Sequence, residues 1–290
     1  MNASSTYASA GAVLIAAGVT FAVAALVPGC PGRAQERRTE RPHSASAERE
    51  AARAPMRGRR SDFEAVGRMI VSATNEFRLK HGRAEVNVDP RLAQAARHFA
   101  DYMAKTGKYG HTADGERPEE RVEQRGYAFC IVAENIAYAY RSTGYSRQGL
   151  AEELVQGWIH SPPHRKNLLD AAVTDLGVAV ARSAKTGYYY AVQDFARPRS
   201  AIVRFTVTNF SSRALTYEVS GRRYSLAPRT EQTHEECRPP QLEFLPPRRG
   251  SLSGRKSFRP EPKDRFVVTD SDGRLTVERR RSPAGTAATK

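Results

Sequence analysis

The sequence predicts an α+β domain followed by a small all-β appendage, and three observations carry that prediction. Between residues 61 and 198, apolar side chains recur with the helical period in four segments, each opened by a capping residue or a proline. Between and after those segments lie runs with the composition of strands, the last two separated by a Lys185-Thr186-Gly187 turn and readable as an antiparallel hairpin. From Ala201 onward the helical period vanishes, and short alternating strands take over.

Taken in order, the chain begins with ASAGAVLIAAGVTFAVAALVPGC, uncharged and apolar from Ala8 to Val27. Residues 1–30 are therefore expected to be a signal peptide or a membrane anchor, the length lying between the two. Val27-Pro28-Gly29-Cys30 loosely matches a lipobox, which makes Cys30 a candidate for lipidation. No basic residue precedes the apolar run and several arginines follow from Arg33, so an uncleaved anchor would keep the remainder in the cytoplasm. Residues 31–60 are rich in Arg, Glu, Ala, Ser and Pro with few large apolar groups, the composition of a disordered linker.

Order is expected from Ser61-Asp62, a helix cap followed by Phe63, Val66, Ile70, Ala73 and Phe77, with Gly82 as the stop. Asp89-Pro90 opens a second helix whose inward stripe is Leu92, Ala95, Ala96, Phe99 and Met103, closed by Gly107. A short helix over Pro118 to Arg125 ends at Gly126, and a fourth from Ser146 turns Leu150, Leu154 and Trp158 inward. IVAENIAYAY, VTDLGVAVARS and GYYYAVQDFA read as strands. Residues 199–281 then contain AIVRFTVTNF, ALTYEVS, RRYSLAP, QLEFL, DRFVVTD and GRLTVERR, a β-sandwich-like module interrupted by a basic loop around 246–263, and 282–290 reads as a frayed tail.

The 290 residues carry a formal charge of +15, which first suggests a polyanion as partner. Its distribution argues otherwise. Basic and acidic residues number 9 and 4 over residues 1–60, 18 and 17 over 61–197, and 19 and 10 over 198–290, so the excess lies in the flanks. With no zinc-finger spacing, phosphate loop or aromatic RNA motif, a specific nucleic-acid partner is not expected. The three cysteines, Cys30, Cys130 and Cys237, are too few for a disulfide scaffold and wrongly spaced for a zinc site. In an exported chain with Cys30 removed or lipidated, Cys130 and Cys237 are the remaining pair, and they can join if the two modules pack together.

The polar residues that stand out are His111, Glu134 and His164, each at the edge of an apolar segment. Glu134 lies within a largely apolar strand, where a carboxylate must be paired or hydrogen-bonded. Two imidazoles and a carboxylate suit zinc with an open position, a proton-transfer pair, or a satisfied polar network pinning three segments. His160 and His164 have the four-residue spacing of a helical zinc motif, but Pro162 and Pro163 stand between them. The expectation is that His160 ends one helix and that Pro163 starts a new turn carrying His164, Arg165 and Lys166.

HTADGERPEERVEQRGY, AENIAY, GWIHSPPHRKNLLD, DLGVAVA and YYYAVQDFA, in this order, resemble the CAP superfamily (the SCP/TAPS or PR-1 group) in its bacterial form, over roughly Phe63 to Pro198. The resemblance implies an α-β-α sandwich over residues 61–198, with a small antiparallel sheet between helical layers and an open cleft lined by two His and two Glu. By motif, His111, Glu134 and His164 match three of the four. At the fourth position, three residues after Trp158, stands Ser161, and Ala133 replaces the usual Gly before Glu-Asn. The binding cleft is thus expected from His111, Glu134, Ser161 and His164, with zinc or another divalent cation bound weakly by His111 and His164 and no cofactor required. Asp114 and Glu116 are candidate replacements for the lost carboxylate.

These residues lead to an exported binding or interaction module of the cell envelope, secreted, periplasmic or anchored through the N-terminus, whose partner is a lipid, a wall component or another envelope constituent. A metal-assisted hydrolase of wall or extracellular polymer is the alternative, with Glu134 and His164 as its catalytic groups. A structural adaptor is a third. A Ser161, His164, Glu134 triad lacks the sharp strand-turn-helix that presents a nucleophilic serine.

Overall fold

The computed structural model describes residues 43–245, 256–271 and 274–281, so the apolar leader, Cys30 and the C-terminal tail lie outside the described residues. Among the described residues no helix is long and apolar enough to cross a membrane.

The expectation of a structureless linker fails over its second half, because His43–Arg53 form a helix, α1. Met56 N–H donates to the Tyr145 carbonyl at 3.0 Å, and Met56 packs against the domain core. Arg147 completes the joint, donating to the Ala51 carbonyl and gripping Asp62 at 2.6 Å. A sparse apolar content hid this segment, since one methionine and one backbone bridge dock it.

Helix α2 (Arg60–Lys80) starts slightly before the expected Ser61-Asp62 cap, and Asp62 works from inside the first turn. Its carboxylate accepts from the backbone N–H of Arg59 at the N-cap and of Arg57 in the segment before it, both at 3.1 Å, fixing the entry of the chain into the helix. Strand β1 (Asn87–Val88) leads into α3 (Pro90–Thr106), where Asp89 caps the first turn through Arg91 N–H at 2.8 Å and Gly107, at φ 74°, closes the last. Next come α4 (Pro118–Gln124), β2 (Phe129–Ala139), α5 (Arg147–His160), α6 (Pro162–Leu168), β3 (Asp175–Arg182) and β4 (Tyr189–Pro198).

The sheet order is β1-β3-β4-β2, antiparallel except for the two-residue parallel pairing of β1 with β3. Helix α3 covers one face with Ala96, Phe99, Ala100 and Met103, and α2 and α5 cover the other with Val66, Ile70, Leu154 and Trp158. This is an α-β-α sandwich. At Gly177 an added Cβ would lie 2.1 Å from the Leu92 carbonyl carbon, so only glycine admits α3 this close to β3. Trp158 is buried and its indole N–H donates to the Ile136 carbonyl at 3.1 Å, tying α5 to the edge strand β2.

The appendage is a sandwich of two four-stranded sheets. One has β6 (Leu215–Val219), β7 (Arg222–Leu226), β9 (Leu242–Phe244) and β10 (Lys256–Phe258) in the order β10-β9-β6-β7. The other has β5 (Val203–Asn209), β8 (Thr230–Glu236), β11 (Arg265–Ser271) and β12 (Arg274–Arg280) in the order β12-β11-β5-β8. Phe205, Tyr217, Phe244 and Phe266 fill its core. Strand β8 went unread in the sequence because TEQTHEE buries only His234, leaving no apolar alternation to see. Cys130, at the head of β2, is bonded to Cys237, directly after β8, with Cα atoms 5.6 Å apart. Arg238 adds a bidentate bridge to Asp170, at 2.7 and 2.8 Å.

Candidate functional site

Strand β2 is the sheet edge, and alternate residues Glu134, Ile136 and Tyr138 face the α3 side. The Glu134 side chain is buried and both its oxygens are used. Oε1 accepts from His111 Nδ1 at 2.7 Å, and Oε2 accepts from Arg121 Nη2 at 2.7 Å. The carboxylate predicted to need a partner has two.

Arg121, on α4, is the residue that organises the site. Its guanidinium is buried and also donates to Asp114 Oδ1 at 2.9 Å and to the carbonyls of Glu116 and His111 at 2.8 and 2.9 Å. Its carbon centre stands 3.6 Å from the Phe99 ring centroid, a cation–π contact that roofs the ion pair with α3. Thus Asp114 is drawn into the site by Arg121. Sequence reasoning missed Arg121 because PEERVEQ reads as a charged surface helix, in which one buried cation among exposed ones has no distinguishing pattern.

Asp194 on β4 was missed as well. It lies across from Glu134 in the β2–β4 register and is fully buried, with one carboxylate oxygen lacking any hydrogen-bond partner among the described residues. Burial pushes its pKa well above the usual carboxylate range, the Glu134 charge adds to the shift, and Arg121 opposes it. The signal was available in GYYYAVQDFA, where strand alternation puts Val192 and Asp194 on one face.

His164 sits on α6, which the structure starts at Pro162 rather than Pro163, with Ser161 ending α5 and preceding α6. Asn135 Nδ2 donates to the His164 carbonyl at 3.3 Å, and Asn167 Nδ2 reaches the Glu134 carbonyl at 3.2 Å and Asn135 Oδ1 at 2.9 Å. These amides staple α6 across the edge strand. The Glu134 hydrogen bond raises the His111 pKa, against burial and Arg121, whereas burial and the nearby His111 charge lower that of His164. His111 therefore holds its proton to higher pH than His164 does. Ser161 lends no side-chain cap to α6 and no hydrogen bond joins it to Glu134 or His111, while His160 is exposed and bonds back to the Gln156 carbonyl at 2.8 Å.

A family model described as the cysteine-rich secretory protein family, CAP, matches residues 71–195. The chain carries a CAP domain. Over 120 residues, 41% of the chain, the sequence is 32% identical to the uncharacterized membrane protein YlbC of Bacillus subtilis (strain 168), covering 32% of that protein. Over 124 residues it is 27% identical to the uncharacterized protein YkwD of the same organism, covering 45% of it. The chain thus spans under half the length of the curated relatives it matches. Among solved structures, an extracellular protein containing an SCP domain from Bacillus anthracis str. Ames is similar at 27% identity and a TM-score of 0.39, over 47% of this chain and 41% of that one.

The cation tetrad implied by the family does not fit the residues of this CAP domain. Ser161 supplies a hydroxyl in place of the second carboxylate, and both Glu134 oxygens already face donors. Among the described residues no group of three His, Cys, Asp or Glu is arranged to hold a metal ion. What remains for zinc is a pair of imidazoles, fewer than the three protein ligands of an open zinc site.

Proposed function

We propose that the chain is an exported binding module of the cell envelope, which holds a lipid, a wall polymer or another envelope constituent at the face around His111 and His164. The observation that carries this reading is the occupation of Glu134 by Arg121 and His111. A metal-assisted hydrolase needs a carboxylate free to take a proton or hold a cation. Here the carboxylate is spent on fixing the position of one histidine, leaving His111 half exposed with Nε2 free of the Glu134 bond. Such a group binds and orients. Export is favoured by the apolar leader, the disulfide and the family's secretory description.

The test incubates the purified full chain with wall sacculi and with lipid vesicles, with and without EDTA, and follows both binding and soluble products. Binding that survives chelation, with no products released, is expected. Release of wall fragments that stops on EDTA treatment would replace this reading with the metal-assisted hydrolase.

A further inference from the structure

Three of the exposed large apolar side chains, Tyr109, Tyr138 and Tyr140, lie together, at 45%, 55% and 52% exposure. Tyr138 follows Glu134 on the same face of β2, and Tyr140 stands just past the strand end. With Tyr188, which precedes β4, the rings form a continuous row. Centroid separations are 5.0 Å from Tyr109 to Tyr138, 5.7 Å from Tyr138 to Tyr188 and 4.9 Å from Tyr188 to Tyr140. At the rise of an extended strand, Tyr138 is about 13 Å and Tyr140 about 20 Å from Glu134, so the row runs on from the His111–Glu134 pair along the sheet edge. The Tyr109 hydroxyl donates to the Ile136 carbonyl at 3.1 Å, fixing its ring.

The margins of the row are cationic. Lys108 and Lys185 are exposed beside Tyr109 and in the turn before Tyr188. The Arg182 guanidinium and the Tyr140 ring converge on Gly187, where an added Cβ would lie 3.3 Å from one and 3.5 Å from the other. His111 stands at the far end, and the cleft carboxylates Glu134 and Asp114 are neutralised by Arg121 and His111.

We propose that this tyrosine row is the track for an anionic glycan, its sugar rings stacking on the exposed phenol faces and its acidic groups meeting Lys108, Arg182, Lys185 and His111. The inference rests on the envelope-binding reading and narrows it to a substrate class. Tyrosine faces suit a ligand with apolar C–H surfaces and hydroxyl edges, because the ring packs while its own hydroxyl stays wet. A lipid tail calls for an enclosed apolar channel, whereas this row is open along its length. Cations at the rim steer an acidic polymer to the row and select it over a neutral one.

The experiment is calorimetric titration of the full chain with hyaluronan oligosaccharides, which are acidic sugars, with dextran oligosaccharides, which are neutral sugars, and with poly-L-glutamate, which is acidic without sugar rings. Hyaluronan should bind more tightly than either. Tyr138→Ala and Tyr140→Ala should each weaken it roughly 3–10-fold, the worth of one aromatic contact, while His160→Ala should leave it unchanged. Arg182→Gln should weaken hyaluronan and lessen the salt dependence of its binding. Equal binding of poly-L-glutamate with the same sensitivity to Tyr138→Ala, or hyaluronan binding indifferent to both alanine variants, would overturn the proposal. Sacculus binding that persists without any affinity for hyaluronan would sink the glycan track and leave the envelope-binding reading standing. Loss of binding to sacculi and vesicles alike would remove both.

Discussion

Replacing Arg121 by Met keeps a flexible stem over Phe99 and removes the charge that Glu134 and Asp114 share. The wild-type site contains the carboxylates of Glu134 and Asp114, one guanidinium and one imidazole half in water, with the buried Asp194 beside them. In the variant the carboxylates lose their common partner, and the carbonyls of His111 and Glu116 lose a donor each. Breaking a buried ion pair from one side costs about 3–5 kcal/mol, because the surviving charge stays desolvated. At a few degrees per kcal/mol for a domain of this size, Tm should fall roughly 10–20 °C. Adding Glu134→Gln should recover part of this loss, giving a double-mutant cycle with strong coupling. Thermal unfolding followed by circular dichroism gives the Tm shift, and urea unfolding followed by Trp158 fluorescence gives the free energies and their coupling. A loss below about 1 kcal/mol, or additivity with Glu134→Gln, would refute the assignment of Arg121 as the counter-charge of the site.

Four further outcomes are expected. Asp194→Asn should stabilise the protein at neutral pH: a carboxyl with a raised folded pKa contributes stability below its unfolded value of 3.8, lost as pH rises toward the folded one, and the amide removes that dependence. Unfolding curves between pH 4 and 8 that are no flatter for the variant would count against it. In an NMR titration His111 should lose its proton at higher pH than His164, straddling 6.5, and the order should collapse in Glu134→Gln. Gly177→Ala should prevent folding or cost at least about 1–3 kcal/mol, because a backbone atom 2.1 Å away cannot step aside, and a variant with wild-type Tm would show that α3 can shift. Cys237→Ser opens a loop of 107 residues and should cost about 2–4 kcal/mol in unfolding experiments, an effect that vanishes when both proteins are measured under reducing conditions.

Much of this fold is written in local chemistry. The Asp89-Pro90 start and Gly107 stop of α3, the Ser146 cap of α5 and the turn before Gly187 are signals that neighbouring residues send to one another, and the structure follows them. His111 and Glu134 were legible for a different reason, since a carboxylate inside an apolar strand demands a partner whatever the fold. Arg121 and Asp194 were not legible because their burial is a tertiary fact. Nothing in a seven-residue helix says which of its cations turns inward, and nothing in a strand says that its aspartate will face a glutamate across the ladder. The docking of α1 and the polar strand β8 escaped for the same cause, each held by the body of the protein and not by its own pattern.

The disulfide has a mechanical consequence. The β module joins the CAP domain covalently at two points, the peptide running out of β4 at Pro198 and the bond from Cys237 to Cys130 at the head of β2. Phe129 and Pro198 are partners in the β2–β4 ladder, so both attachments lie at the same end of the two strands. Tension applied through the appendage therefore pulls that pair in one direction together, without sliding one strand past the other. A protein tethered or dragged by its C-terminal module can bear that pull while the edge strand that carries Glu134 keeps its register, and with it the grip on His111.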